Sequence, residues 1–195
     1  MNNHAEMSDE KLIQFYLNGN PGAMATLVEL YKDRIYSSIF SMVQDKFIAE
    51  DIFKQVFITI INKLMAGKSD EEDNFLQWAT QIAHQLCIEH TRKTKLAFIM
   101  ETDKENNTAV EPVDFSIPVA MPNTTYYESH SKIKSMISML PDEQREVIAL
   151  NHYAGLSFKE IAGIMKCSLT TALDTMKFAL TNLRKLMNEK EIILR

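Results

Sequence analysis

The stretch Leu156-Ser-Phe-Lys-Glu-Ile-Ala-Gly-Ile-Met-Lys-Cys-Ser168 contains two helix starts, one near each end. Ser157 and Glu160 have the spacing of a capping box, in which each side chain bonds the backbone N–H of the other. Ser168 is a second N-cap residue. Apolar residues at helical spacing follow each cap: Ile161, Ile164 and Met165, then Ala172, Met176, Ala179, Leu183 and Leu186. With the small Ala162 where the helices would cross, the stretch predicts a helix-turn-helix. A purely structural helical corner is the alternative.

The first half of the chain also has helical periodicity. Ser8 precedes an acidic first turn, and Asn20-Pro21 starts a second helix with proline at its first position. Two further helices are indicated by apolar residues at helical spacing. The first set is Ile48, Ile52, Val56, Ile60 and Leu64, and the second is Phe75, Trp78, Ile82, Leu86 and Cys87. No stretch alternates with period two over the length of a strand. This pattern predicts an all-α fold.

The composition changes between residues 96 and 130. This segment holds three of the five prolines, no glycine, and a net charge of −5, since Lys104 is its only basic residue. Such a stretch cannot bury a core of its own. We therefore expect two small helical domains, residues 1–95 and 131–195, joined by an acidic flexible linker over residues 96–130.

The composition excludes several functional classes. The 195 residues carry a net charge of −5 and include only 5 glycines, which form neither a GxGxxG motif nor a P-loop. Cys87 and Cys167 stand alone, so neither a disulfide framework nor a zinc knuckle is expected. His84 and Cys87 could share a helix face, but further metal ligands at suitable spacing are lacking.

The sequence therefore predicts no catalytic residues, no metal site and no cofactor, because no nucleophile–base constellation is identifiable. The N-terminus lacks the pattern of a signal peptide, and no segment approaches about 20 apolar residues. We expect a soluble cytoplasmic protein without membrane insertion.

A longer segment carries a family resemblance. The sequence Leu140-Pro-Asp-Glu-Gln-Arg-Glu-Val-Ile-Ala-Leu-Asn-His-Tyr-Ala-Gly-Leu-Ser-Phe-Lys-Glu-Ile-Ala162 resembles the C-terminal domain of extracytoplasmic-function (ECF) sigma factors of the sigma-70 family. Ala49-Glu-Asp-Ile-Phe-Lys-Gln-Val-Phe57 and Phe75-Leu-Gln-Trp78 are similar to the N-terminal domain of the same family. The resemblance covers nearly the whole chain in the right order, except for the linker.

This resemblance implies a non-enzymatic specificity subunit that binds core RNA polymerase and promoter DNA and is restrained by an anti-sigma factor. The implied core-polymerase contacts are Asp51, Lys54, Gln55 and Phe57. The implied contacts with the −10 element are Trp78, Gln81, His84, Gln85, Glu89, Arg92 and Lys93. The implied contacts with the −35 element are Arg145, Ser168, Thr170, Thr171, Asp174 and Lys177. The period of Trp78 matches that of Ile82 and Leu86, which favours a core position for it.

Departures from the family pattern keep other functions open. Leu173, Asp174 and Phe178 stand where the family has basic or polar residues, so weak −35 binding is expected. Lys166 replaces the usual glycine of the turn, which is strained if φ is positive there. The alternative is a sigma-like adaptor or decoy that binds polymerase or an anti-sigma factor with degenerate DNA recognition. A one-component repressor fits the first half of the chain less well.

Overall fold

The computed structural model describes residues 7–67, 74–102, 133 and 135–189. Helices are the regular secondary structure throughout these ranges, which confirms the all-α prediction. The elements are α1 (Asp9–Leu17), α2 (Pro21–Val43), α3 (Lys46–Met65), α4 (Phe75–Thr102), α5 (Asp142–Ile148), a π-helical turn (Ala149–Tyr153), α6 (Phe158–Ile164) and α7 (Leu169–Glu189).

Helices α1 to α4 pack into an N-terminal domain around one apolar core. The every-fourth-residue stripe of α3 is buried from Ile52 to Leu64, and Ile48 at its start is partly buried. Helix α2 contributes Leu27, Ile35 and Ile39, all fully buried. Side chains start two of these helices. Asn20 accepts a hydrogen bond from the Gly22 N–H at 3.0 Å, and Asp45 accepts one from the Ile48 N–H at 3.0 Å.

Helix α4 continues to Thr102, seven residues beyond the expected end of the first domain at residue 95. The reason is that residues 96–102 contain neither proline nor glycine, so no residue there stops the helix. The rest of the expected linker, residues 103–130, lies outside the described residues.

Helices α5, α6 and α7 and the π-helical turn form a C-terminal domain with its own core. The predicted capping box is confirmed: the Ser157 N–H donates to Glu160 Oε2 at 2.7 Å, and the Glu160 N–H donates to Ser157 Oγ at 3.4 Å. Ser168 caps α7 by accepting from the Thr171 N–H at 3.0 Å. Since α6 packs directly on α7 across the short turn, the helix-turn-helix prediction is confirmed.

The two domains pack against each other without sharing a core. Helix α2 lies against the π-helical turn and α5, while α4 contacts α6. The buried residues nevertheless form two separate apolar clusters, one in each domain. The side-chain hydrogen bonds that the structure shows between the domains are polar links made by Arg34, Asn74 and His84.

The turn of the helix-turn-helix is strained at Lys166. Its φ is +54°, so the lysine occupies the left-handed region that favours glycine, as expected from the family pattern. For a residue with a Cβ this conformation costs about 1–2 kcal/mol.

We predict that Lys166→Gly raises the free energy of unfolding by about 0.5–1 kcal/mol, because relief of strain exceeds the added chain entropy of glycine. The matched control is Lys185→Gly in the exposed interior of α7, which should lower it by about 1 kcal/mol. Urea denaturation of the full chain followed by circular dichroism measures both. Equal destabilisation by the two changes would contradict the strain at Lys166.

Candidate polymerase and DNA interfaces

The outer face of α3 carries three of the four residues expected to contact polymerase. Asp51, Lys54 and Gln55 are exposed, and Lys54 Nζ lies 3.5 Å from Asp51 Oδ1. Phe57 lies at the edge of the buried side of the helix, where it is 9% exposed and its ring packs edge-on against Phe53 at 5.0 Å. The structure therefore places Phe57 in the core rather than on the polymerase face.

Large apolar side chains share this outer face. Phe47, Ile58 and Met65 are 69%, 58% and 72% exposed. Their spacing from Asp51 and Lys54 follows steps of three, four and seven residues, so all of them lie on one side of α3. An exposed surface that mixes large apolar groups with a few charges is typical of a protein-docking site. The sequence analysis missed these residues, although each falls outside the buried stripe of α3.

The residues of α4 that are expected to contact the −10 element lie on several different surfaces. Gln81, Gln85 and Arg92 are exposed and recur at steps of four and seven, so they form one stripe. Ile88 lies within this stripe and is 48% exposed, so it adds an apolar group that the sequence analysis did not single out. Trp78 is 5% exposed, as its helical period favoured, and its buried indole Nε1 has no hydrogen-bond partner.

Glu89 and Lys93 lie on the side of α4 that faces α3. The Lys93 ammonium donates to Glu89 Oε1 at 2.8 Å, and this hydrogen bond lowers the pKa of the Glu89 carboxyl. Both residues line a groove of about 250 Å³ between α3 and α4, together with Asp51 and Gln55. They therefore adjoin the polymerase face rather than the Gln81 stripe.

His84 points into the boundary between the domains. Its Nε2 is hydrogen-bonded to Glu146 Oε1 on α5, and the two side chains are only 13% and 12% exposed. Burial, together with the nearby Lys166, lowers the pKa of His84 to about 4. Burial, reinforced by Glu143 and Asp142, raises the pKa of Glu146 to about 7. In this arrangement the hydrogen bond to Glu146 holds His84 against the C-terminal domain, where DNA cannot reach it.

The outward face of α7 carries the expected −35 residues. Thr170, Thr171 and Lys177 are exposed, and Asp174 accepts a hydrogen bond from the Lys177 ammonium at 3.0 Å. The cation that could approach a phosphate is thus partly neutralised by the neighbouring carboxylate. Ser168 presents its hydroxyl to Thr171, whose Oγ1 lies 2.8 Å away, so the start of the helix is a hydroxyl-rich surface.

Arg145 is directed into its own domain. Its guanidinium donates to the Leu140 carbonyl at 3.1 Å and to Asp142 Oδ1 at 2.7 Å, and the side chain is 16% exposed. The side chain therefore organises the start of α5, and its expected −35 contact would require these bonds to break.

Apolar residues flank the outward face of α7. Leu173 is 37% exposed and Phe178 is 64% exposed. Phe178 also lines a cavity of about 350 Å³ with Thr175 and the Pro141–Gln144 segment at the start of α5. This surface is the feature that the adaptor alternative invoked.

The described ranges contain neither a cluster of metal ligands nor a membrane-spanning helix. No group of three or more His, Cys, Asp or Glu residues in residues 7–67, 74–102 and 135–189 is arranged to hold a metal ion. Within the same part of the chain, no helix combines the length and apolar character needed to cross a membrane.

The fold defines a class: a two-domain all-α protein whose C-terminal domain contains a helix-turn-helix. Family comparisons identify it further. Residues 27–96 match the model of Sigma-70 region 2, and residues 130–183 match that of Sigma-70, region 4. Together the two matches cover almost two thirds of the chain.

Several relatives match over most of their length. The ECF RNA polymerase sigma factor SigW of Bacillus subtilis is 27% identical over 195 residues, covering 94% of this chain and 99% of SigW. SigM of the same organism is 25% identical, covering 83% and 93%. Among solved structures, CnrH in complex with the cytosolic domain of CnrY has a TM-score of 0.65 at 18% identity, covering 94% of this chain and 99% of that one. RpoE in complex with the anti-sigma factor NepR from Bartonella quintana has a TM-score of 0.63 at 18% identity, covering 85% and 96%.

The chain belongs to the ECF group of the sigma-70 family of RNA polymerase sigma factors. Its function is promoter recognition in transcription initiation, and the adaptor alternative is not favoured.

We predict that Asp174→Asn strengthens duplex DNA binding and steepens its salt dependence by about one counterion, because Lys177 is released toward phosphate. Fluorescence anisotropy of the full chain with a labelled duplex, measured across a salt series, tests this. Asp51→Asn is the matched control, since it removes the same type of exposed Asp–Lys pair from the other domain. An equal effect of both changes would show that total charge, rather than the α7 face, controls binding.

Proposed function

We propose that the chain forms a holoenzyme with core RNA polymerase through the outer face of α3. The observation that carries this proposal is the combined exposure of Phe47, Ile58 and Met65 beside Asp51 and Lys54. Leaving these apolar groups in water is unfavourable, and a partner that covers them gains about 25 cal/mol for each Å² of apolar surface buried. The charges of Asp51 and Lys54 on the same surface orient the polymerase as it binds.

The exposed stripe of α4 is proposed to contact the separated −10 strand. Gln81 and Gln85 offer amide donors and acceptors to base edges, and Arg92 offers a cation to phosphate. Ile88 can pack against an unstacked base between them. Trp78 supports this surface from beneath as a core residue, and its role there is to hold the helix in place.

Helix α7 is proposed to enter the major groove of the −35 element. Thr170 and Thr171 can donate to phosphate or contact a thymine methyl group, and Lys177 can contact phosphate. A single paired cation makes this contact weak. Attachment to polymerase therefore supplies the effective concentration that specific −35 binding needs.

We propose that residues 96–130 connect a polymerase-binding domain to a −35-binding domain. We propose that the protein acts as a binding subunit rather than as an enzyme, because it matches a family of transcription initiation factors. An anti-sigma protein is its proposed regulator, because the structural neighbours CnrH and RpoE are both in complexes of this type.

Reconstitution with core polymerase tests the proposed function as a whole. The holoenzyme is incubated with fragmented genomic DNA, and the transcripts are sequenced from their 5′ ends. A shared pair of upstream elements that depends on the added chain supports the function. Initiation identical to that of core polymerase alone would overturn it.

We predict that Asp51→Arg and Ile58→Lys each weaken the affinity for core polymerase by about tenfold or more, since each places a cation in a surface that becomes buried. Both side chains are exposed in the free protein, so its stability should change by less than about 0.5 kcal/mol. Leu17→Lys is the control for Ile58→Lys, because Leu17 is 48% exposed but lies on α1. Wild-type affinity of both α3 variants would remove this face from the polymerase interface.

A further inference from the structure

The outward face of α7 has bonded most of its polar side chains within the protein. Asp174 accepts a hydrogen bond from the Lys177 ammonium at 3.0 Å, so these two charges neutralise each other. The Thr181 hydroxyl donates to the Lys177 carbonyl at 2.8 Å. The Thr171 hydroxyl lies 2.8 Å from the hydroxyl of Ser168. Each of these groups reaches a base edge only at the cost of a bond that the protein already makes.

Two large apolar side chains flank this bonded polar stripe. Phe178 is 64% exposed and Leu173 is 37% exposed. At 3.6 residues per turn, they lie about 70° to either side of the Asp174–Lys177 pair. A helix that enters the major groove with this face therefore brings a leucine and a phenylalanine toward the DNA on opposite sides of a neutralised centre.

The surroundings of Phe178 are unfavourable for a phosphate. The ring lines a cavity of about 350 Å³ together with the Pro141–Gln144 segment, which contributes Asp142 and Glu143. The described residues that line this cavity include no cation, so the two carboxylates repel a phosphate without compensation. The nearby Arg145 already donates to Asp142 at 2.7 Å. The side of α7 that carries Phe178 is therefore better suited to base edges than to the DNA backbone.

Thymine is the base whose major-groove edge matches an apolar side chain. Adenine, guanine and cytosine are distinguished in that groove by hydrogen-bond donors and acceptors, whereas thymine adds a C5-methyl group. A leucine or phenylalanine side chain cannot exchange hydrogen bonds with a base, but it can bury this methyl group. Burial of one methyl group is worth a factor of about four in affinity.

We propose that α7 reads thymines of the −35 element through apolar contacts, with Leu173 and Phe178 as the specificity-determining residues. This inference rests on the proposed entry of α7 into the major groove. The two residues are about 7.5 Å apart along the helix axis, which corresponds to about two base pairs, so they contact different thymines. Both are positions at which the chain departs from the family pattern, so this mode of reading differs from the polar contacts that the family pattern implies.

Deoxyuridine substitution tests the methyl contacts directly, because uracil pairs as thymine does but lacks the C5-methyl group. The DNA is a promoter fragment whose −35 element is defined by sequencing the 5′ ends of transcripts made with the added chain. Each thymine of that element, on either strand, is replaced in turn, and holoenzyme affinity is measured by fluorescence anisotropy. We expect two positions at which uracil weakens binding by about fourfold each. An element without thymine on either strand would overturn the proposal.

A double-mutant cycle separates a methyl contact from an effect of uracil on DNA shape. Holoenzyme with Phe178→Ala should bind thymine and uracil equally at one of the two positions, and holoenzyme with Leu173→Ala should do so at the other. Each variant should keep the fourfold preference at the position that it does not contact. Uracil penalties that persist unchanged in both variants would come from deformability of the DNA, and they would contradict apolar reading.

Two further variants serve as controls. Leu30→Ala removes an equally large side chain that is 48% exposed on α2, and it should keep both uracil penalties. Phe178→Arg introduces a cation, so it should tighten binding and steepen its salt dependence by about one counterion while abolishing the uracil penalty at its position. Because all four changes are at exposed side chains, circular dichroism should show unchanged helix content. Loss of the uracil penalties in Leu30→Ala would show that they do not report on α7.

The outcomes distinguish this proposal from the function on which it rests. If the added chain directs no initiation, the proposed function fails, and thymine reading fails with it. If initiation depends on the −35 element but uracil has no effect at any of its positions, the function stands and apolar reading is overturned. Position-specific uracil penalties that Leu173→Ala and Phe178→Ala remove one at a time support both.

Discussion

The structure depends on the burial of both sides of α2. One side of this helix supplies Leu27, Ile35 and Ile39 to the N-terminal core, where they pack with α1, α3 and α4. Another side lies against the π-helical turn and α5, and carries Arg34 to the Ala154 carbonyl. Apolar burial thus makes each domain stable, while a separate polar surface of the same helix joins the domains. The strong interaction is inside each domain, and the weaker one lies between them.

Burial of His84 and Glu146 costs desolvation, which the structure limits by letting the two groups bond each other. Burial lowers the pKa of His84 and raises the pKa of Glu146, so it favours the neutral form of each group. The domain boundary therefore holds a polar pair without a buried unpaired charge.

The functional surfaces have a common character in that they mix apolar and polar groups. On α3, Phe47 and Ile58 share one side of the helix with Asp51, and on α4, Ile88 lies between Gln85 and Arg92. On α7, Leu173 and Phe178 flank a face with one paired lysine. Such surfaces bind weakly by themselves and depend on being brought to their targets together. If α7 contacts the −35 element as proposed, its single paired lysine makes attachment to polymerase the main source of DNA affinity.

The sequence by itself determined the helical fold, the capping box of Ser157 and Glu160, the stripe of α3 and the order of the domains. These features depend on residues a few positions apart, whose relation is set by the helical period. Only the tertiary structure decided that Phe57 turns inward and that His84 meets Glu146 62 residues away. Those outcomes depend on how helices dock, because a side chain's exposure is set by neighbours that are distant in sequence.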